Sequence, residues 1–339
     1  MPASNEFALN HWMRRFADLV PDRTQYVGAC PAQEDCEAEF NIAALGATLD
    51  ARGRSHAPAG MAVAVLGRRR RGAGPCTPYR CAATEVLIAH CGRWRVTVGA
   101  DGEGGSVEID RGDVMTVPAG EVRRLELLDD VSGFLFAVRG HDEVGELAAT
   151  RAPDRTAGLG AVGAGYWIDD SAGIPVLRDL RAGDPPGGDG SPRAAGLDGW
   201  VCRADSMSPN PRSPFSSDEV GEAAIVVPKD TADGFSAGPL GGRSPHGFTL
   251  RLLTLASGAY VPAYRRREAL AFIVEDGTVE VHAGAESVVL GAGDTLAMSA
   301  GREHALRNSS SRGARVLVVV GSEDPAAPDF ASLPIRGGH

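Results

Sequence analysis

Lysine is almost missing from this 339-residue chain. Lys229 is the only one, and arginine carries nearly all of the 34 basic charges. With 44 acidic residues the net charge is −10, so phosphate attraction does not drive this chain to nucleic acid. The arginine excess reads first as a bias toward GC-rich codons, not as arginine chemistry. The one basic run, GRRRRG at 67–72, lies between an apolar stretch and a Gly/Pro-rich one and reads as a solvated turn. No apolar run approaches the roughly 20 residues that a membrane span requires. Cysteines fall at 30, 36, 76, 81, 91 and 202 without a C-x-x-C pair, and no charged-then-apolar leader precedes them. That usage predicts free thiols in a reducing compartment, hence a cytoplasmic protein. H-x-H and H-x3-H pairs are missing too; His11, His56, His90, His141, His246 and His282 are dispersed.

What is present is mostly short β pattern. The opening NEFALNHWMRRFADLV spaces Phe7, Trp12, Phe16 and Val20 as an amphipathic helix would. After it come short apolar or alternating runs cut by Gly, Asp and Pro: MAVAVLG, TEVLIAHCGRWRVTVG, GSVEIDRGDVMTVPAG, VRRLELL and SGFLFAVRG. The stretch 182–220 is dense in Pro, Gly and Ser and reads as a surface linker, with Trp200 docking it to a domain. Strand pattern then resumes in AAIVVP, FTLRLLTL, LAFIVEDGTVEVHAG, ESVVLGAGDTLAMSAG and ARVLVVVG. The two β regions overlay: EVLIAHCGRWRVTVG with IDRGDVMTVPAGEVRRLEL matches LAFIVEDGTVEVHAG with VLGAGDTLAMSAGREHALRN. This is a divergent internal duplication of about a hundred residues per unit. The expected fold is all-β with minor helix. The divisions are an N-terminal segment (1–55), a first barrel (56–150), a linker (151–220), a second barrel (221–325) and a tail (326–339).

These residues resemble the cupin superfamily in its two-barrel, or bicupin, form: tandem jelly-roll-like β-barrels. The family's motifs have the forms G-x5-H-x-H-x3-E-x6-G and G-x5-P-x-G-x2-H-x3-N. In the second unit Gly258 and Gly277 frame the first motif. Gly293, Gly301, His304 and Asn308 hold the second, with Ser299 where proline is usual. In the first unit Gly92 closes the first motif, and Gly112, Pro118 and Gly120 hold the second. Within the superfamily the first unit looks most like gentisate- and homogentisate-type ring-cleaving dioxygenases, which hold Fe(II) through His and Glu. The resemblance also implies a homodimer.

Carried over by position, the four metal ligands fall on Tyr79, Cys81, Glu85 and Arg123 in the first unit. In the second they fall on Tyr264, Arg266, Leu270 and His304. A non-haem iron site needs about three protein ligands, typically two imidazoles and a carboxylate, and arginine is a permanent cation that ligates nothing. Neither set is complete, so no metal is expected, Fe or Zn being the runner-up; Cys81, Glu85 and Cys76 could offer zinc thiolate and carboxylate donors. For the second barrel two readings stand. His304 and Tyr264 act as base and acid on a substrate whose anionic group Arg266 clamps, or His304 is an ordinary interior residue and Arg266 points to solvent with Arg265 and Arg267. For the first, Glu85 and Arg123 face one another as a buried ion pair, or Arg123 anchors an anion with Tyr79 as proton donor, Glu85 and Cys81 lining the site. The expectation is a metal-independent isomerase, lyase or cyclase acting on a small anionic or aromatic metabolite. The alternatives are a dioxygenase-like oxidoreductase with an unusual metal site and a non-catalytic ligand-binding or scaffold bicupin.

Overall fold

The computed structural model describes residues 9–18, 38–40, 61–68, 79–81, 83–99, 102, 104–129, 132–140, 166–169, 176–179, 196–228, 231 and 237–330. At 11–12, 38–40, 62, 68, 79–81, 166–169 and 176–179 the backbone alone is described. Phe7, Val20 and Cys76 therefore lie outside the described residues, as do the side chains of Trp12, Tyr79 and Cys81. Among the described residues no helix is long and apolar enough to cross a membrane.

The chain forms two compact units. One gathers the described residues of 9–18, 207–241 and 248–330, the other those from 38 to 206 together with 242–247. Each unit is built on a pair of sheets, antiparallel except where Val176–Asp179, itself paired with Tyr166–Asp169, runs parallel to Tyr79–Cys81 at one sheet edge. The orders of the remaining barrel strands correspond. In the later unit one sheet runs Thr295–Met298, Leu270–Asp276, Ala314–Val320, Thr249–Leu255, Val220–Val226; the facing sheet runs Glu286–Gly291, Thr278–Ala283, His304–Arg307, Tyr260–Arg265. The earlier unit repeats the order with Val114–Val117, Glu85–Cys91, Gly133–Gly140, Met61–Arg68 in one sheet. Its other sheet runs Gly105–Ile109, Trp94–Val98, Val122–Leu127, Tyr79–Cys81. The duplication read from sequence is thus a duplication of barrels.

Alternation sets which way side chains point. Trp94–Val98 and Thr278–Ala283 bury every second residue, as a strand with one solvated face must. Leu270–Asp276 and Ala314–Val320 are buried almost throughout. Each barrel closes over its own apolar core. Trp94, Val96, Leu87, Met115, Leu125 and Leu135 fill the first, and Phe272, Val274, Leu253, Leu296, Leu306 and Val316 the second.

One sequence expectation is corrected, and the docking of Trp200 is borne out. The opening segment is not one amphipathic helix: a single turn, Leu9–Trp12, gives way to an extended pair, Met13–Arg14, and a short 3-10 turn, Phe16–Asp18. The linker contains structure of its own, including Val201–Cys202, and Trp200 packs against the first core. Both short strands lie on open sheet edges, Met13–Arg14 on Thr295–Met298 and Val201–Cys202 on Val114–Val117. An uncovered edge leaves backbone groups unpaired, which is why these segments become strands.

Gly277 turns the hairpin between Leu270–Asp276 and Thr278–Ala283 at φ +79°, where a Cβ would meet the Gly313 carbonyl oxygen at 2.6 Å. Gly258 has the same φ with nothing within 4 Å of its Cβ position. Gly277→Ala is expected to lower the stability of this unit by about 1–3 kcal/mol, combining strain with a backbone clash. Gly258→Ala should cost about 1 kcal/mol. Urea denaturation of the two variants side by side checks the ranking.

Candidate functional site

In the second barrel the strands Tyr260–Arg265 and His304–Arg307 run antiparallel with Tyr264 directly opposite His304. Gly301, at φ 74°, turns the chain into the second strand, its N–H donating to the Arg266 carbonyl at 2.7 Å. Tyr264, Arg266 and His304 are all buried, at 2, 3 and 1 % exposure, while Arg265 and Arg267 are exposed. The expectation that Arg266 shares the solvated face of its neighbours does not hold. Its guanidinium donates to the Ala326 carbonyl at 3.0 Å and lies 5.7 Å from the centre of the Phe215 ring.

The Tyr264 and His304 rings are 4.2 Å apart between centroids, and Phe272 meets the imidazole edge-on at 5.5 Å. His304 Nδ1 lies 2.9 Å from the Arg302 carbonyl oxygen. A carbonyl can only accept, so Nδ1 carries the proton in the neutral ring and Nε2 keeps its lone pair. Nε2 is buried and has no hydrogen-bond partner among the described residues. Burial pushes the imidazole down to about 4, with the Arg266 and Arg302 charges acting in the same direction and the bond to the Arg302 carbonyl opposing them. Burial also raises the Tyr264 phenol well above its ordinary value; Glu222 adds to that, and the Arg266 and Arg251 charges act against it. At neutral pH the pair is therefore an unprotonated imidazole beside a protonated phenol.

Glu222 and Arg251 belong to this site and were missed in sequence. Both are buried, 4.0 Å apart, and Ser213 Oγ donates to the other Glu222 oxygen at 2.6 Å. Their signal was available: Arg251 alternates with Leu253 and Leu255 along FTLRLLTL, whose inward positions are otherwise apolar. Two further aromatics close the arrangement. Phe215 lies 4.8 Å from the Tyr264 ring and 5.5 Å from Phe330. A groove of about 850 Å³, lined by Pro209, Ser217, Thr254, Asp276 and Arg315 among others, includes none of the site residues.

The first barrel arranges its interior differently. Glu85 is fully buried; Oε2 accepts from Arg123 Nη1 at 2.9 Å and Oε1 from Arg139 Nε at 2.7 Å. Arg139 stands directly opposite Glu85 on the neighbouring strand, whereas Arg123 comes from the facing sheet. Tyr79 is paired with Arg123 in register. Arg139, the third member, was not anticipated, although a lone arginine near the end of FLFAVRG was its mark.

Among the described residues neither arrangement fits a divalent ion; the side chains of Cys76 and Cys81 lie outside them. In the first barrel the buried Glu85 carboxylate is engaged on both oxygens by permanent cations. In the second, one imidazole faces a phenol that burial keeps protonated, with Arg266 beside them. Among the described residues no group of three or more His, Cys, Asp or Glu side chains could hold a metal.

Residues 251–320 match the family model of the Cupin domain. No curated protein matches the chain by sequence. Among solved structures, the formate complex of Lactobacillus farciminis oxalate decarboxylase superposes with a TM-score of 0.56 at 12 % identity, over 94 % of this chain and 88 % of that one. Oxalate decarboxylase from Bacillus subtilis gives 0.55 at 12 %, over 95 % and 80 %. Likeness at this identity shows the fold, two cupin barrels in tandem, and leaves the narrower resemblance to gentisate- and homogentisate-type dioxygenases without support.

Proposed function

We propose that the second barrel is a metal-independent acid/base site for a small anionic metabolite, with chemistry of the isomerase, lyase or cyclase kind. The observation that carries this reading is the buried Tyr264–His304 ring pair, with the imidazole unprotonated and the phenol protonated. His304 Nε2 would take a proton and Tyr264 would give one, with Arg266 and Arg251 holding the developing negative charge. An imidazole pushed down to about 4 is a weak base. It removes protons only from carbon already acidified by a neighbouring carbonyl or carboxylate, which argues for a carboxylate-bearing substrate. The solved two-barrel structures cited above are named for oxalate, a small dicarboxylate. In the first barrel, Glu85, Arg123 and Arg139 act as an internal tie.

The test is proton exchange. The chain is incubated in D2O with small hydroxy- and keto-carboxylates, and loss of substrate C–H signals is followed by NMR. Tyr264→Phe and His304→Gln are each expected to slow exchange about a hundredfold at neutral pH without loss of fold. Stoichiometric iron in the purified protein would overturn the metal-independent reading. A second reading, a non-catalytic bicupin, is favoured by the packing of Phe215 and Phe330 at Tyr264. It prevails if neither the native chain nor Phe215→Ala and Phe330→Ala variants exchange any compound in the set.

A further inference from the structure

The two segments that cover the barrel edges share a sequence: Leu9-x-x-Trp12-Met13-x-Arg15 and Leu197-x-x-Trp200-Val201-x-Arg203. They also share contacts at the edge-strand pair, the arginine and the residue after it. Met13 pairs with Leu296 and Arg14 with Thr295; Val201 pairs with Met115 and Cys202 with Val114. These partners occupy equivalent places in the two barrels.

The next residue repeats more closely still. Arg15 Nη1 donates to Asp294 Oδ2 at 2.7 Å and to the Val289 carbonyl at 2.6 Å. Arg203 Nη1 donates to Asp113 Oδ2 at 2.8 Å and to the Glu108 carbonyl at 2.7 Å. The following backbone N–H, of Phe16 or Ala204, reaches the other oxygen of the same aspartate at 2.9 Å in both cases. Each aspartate in turn accepts from its own tight turn, from Gly291 N–H or Asp110 N–H. Leu9 and Leu197 are buried in the respective cores. Each segment ends in the same closure, Asp18 N–H to the Arg15 carbonyl and Ser206 N–H to the Arg203 carbonyl.

Two segments with different flanking chain and mostly different residues make one set of contacts. What they share is the leucine, buried in both, a tryptophan three residues on, an apolar residue paired on the edge strand, and the arginine. We propose that the edge formed by Thr295–Met298 with Asp294, and its counterpart formed by Val114–Val117 with Asp113, are peptide-docking sites that read the same rule, L-x-x-W-apolar-x-R. The ligand class is an extended segment added to a sheet edge, with the aspartate selecting arginine through one guanidinium nitrogen and holding the next residue by its backbone N–H. The arm that precedes the first barrel in the chain occupies the site on the second, and the arm that precedes the second occupies the site on the first. Either site should therefore accept either arm.

The test uses the full chain and backbone hydrogen exchange resolved to residues 9–18. Replacing 9–16 (LNHWMRRF) by LDGWVCRA, the sequence of 197–204, is expected to preserve the protection of the edge-pairing segment. A scrambled arm of the same composition should lose it about tenfold or more. Arg15→Ala and Asp294→Asn should each lose protection of 9–18 by a comparable factor, and the double variant little more, because the two act through one contact. Should Asp294→Asn disturb the barrel itself, seen as faster exchange across 270–320, the arm-side variants decide. Loss of protection in the exchanged arm equal to that in the scrambled arm overturns the proposal. So does unchanged protection in Arg15→Ala.

Discussion

Replacing Glu85 by alanine is expected to lower the unfolding free energy of the first barrel by about 3–5 kcal/mol. The carboxylate is fully buried and both of its oxygens are taken, by Arg139 at 2.7 Å and Arg123 at 2.9 Å. Alanine leaves two guanidinium groups in the interior, and neither can shed its charge by deprotonating. The loss is also architectural. Arg139 lies in the same sheet as Glu85 and Arg123 in the facing one, so the carboxylate links the two walls of the barrel. Glu85→Gln keeps an acceptor and removes the charge, and should fall between alanine and the native residue.

The decisive companion is the triple variant Glu85→Leu, Arg123→Met, Arg139→Leu. Removing the whole buried charge cluster is often neutral or stabilising by about 1–4 kcal/mol, whereas removing one member is not. Trp94, buried in this core with its indole N–H on the Cys91 carbonyl, reports the unit by fluorescence. A two-unit chain need not unfold in one step, so a local probe is required. An unchanged midpoint for Glu85→Ala would mean that the triad contributes nothing to stability. A triple variant that folds but loses proton exchange would move the active site into the first barrel.

The legibility of these features in sequence follows from how each is encoded. Hairpin glycines and strand alternation are local, and they repeat, so the barrels and their duplication could be read directly. The opposed Glu85 and Arg123 were reachable because the motif frame fixes which positions point inward. Arg139, Glu222 and Arg251 lie outside that frame, on strands that no motif anchors, and only their isolation among apolar neighbours marked them. Phe215 and Phe330 come from stretches whose Pro, Gly and Ser content signals loop, and periodicity says nothing about where a loop side chain docks. The Met13–Arg14 strand was misread as helix for a related reason. An edge strand of two residues is dictated by the unpaired backbone it covers, and that backbone belongs to residues far along the chain.

Lowering the pH from 6.5 to about 4 is expected to cost the second barrel about 3 kcal/mol through His304 alone. The folded imidazole is pushed from its ordinary 6.5 to about 4, so across that window the unfolded chain binds a proton that the folded chain does not. Protons therefore favour unfolding. The contribution of His304 is fully present above pH 6.5, is lost as pH falls, and stops changing below about 4, where both states are protonated. Carboxylates titrate in the lower part of the same range, so the raw profile does not isolate the effect. The difference between the native chain and His304→Gln does, because the variant lacks only this group. Their urea stabilities, read at several pH values by exchange of amides in 270–320, should converge by about 3 kcal/mol on acidification. A direct check is the His304 C2–H resonance, whose midpoint in the folded protein should lie near 4. A midpoint near 6.5, or parallel pH profiles for the two proteins, would show that water reaches the ring and that the imidazole is an ordinary one. The same titration bears on chemistry: a His304 unprotonated down to about 4, paired with a phenol that stays protonated, predicts proton exchange that is flat through neutral pH and falls only on the acid side.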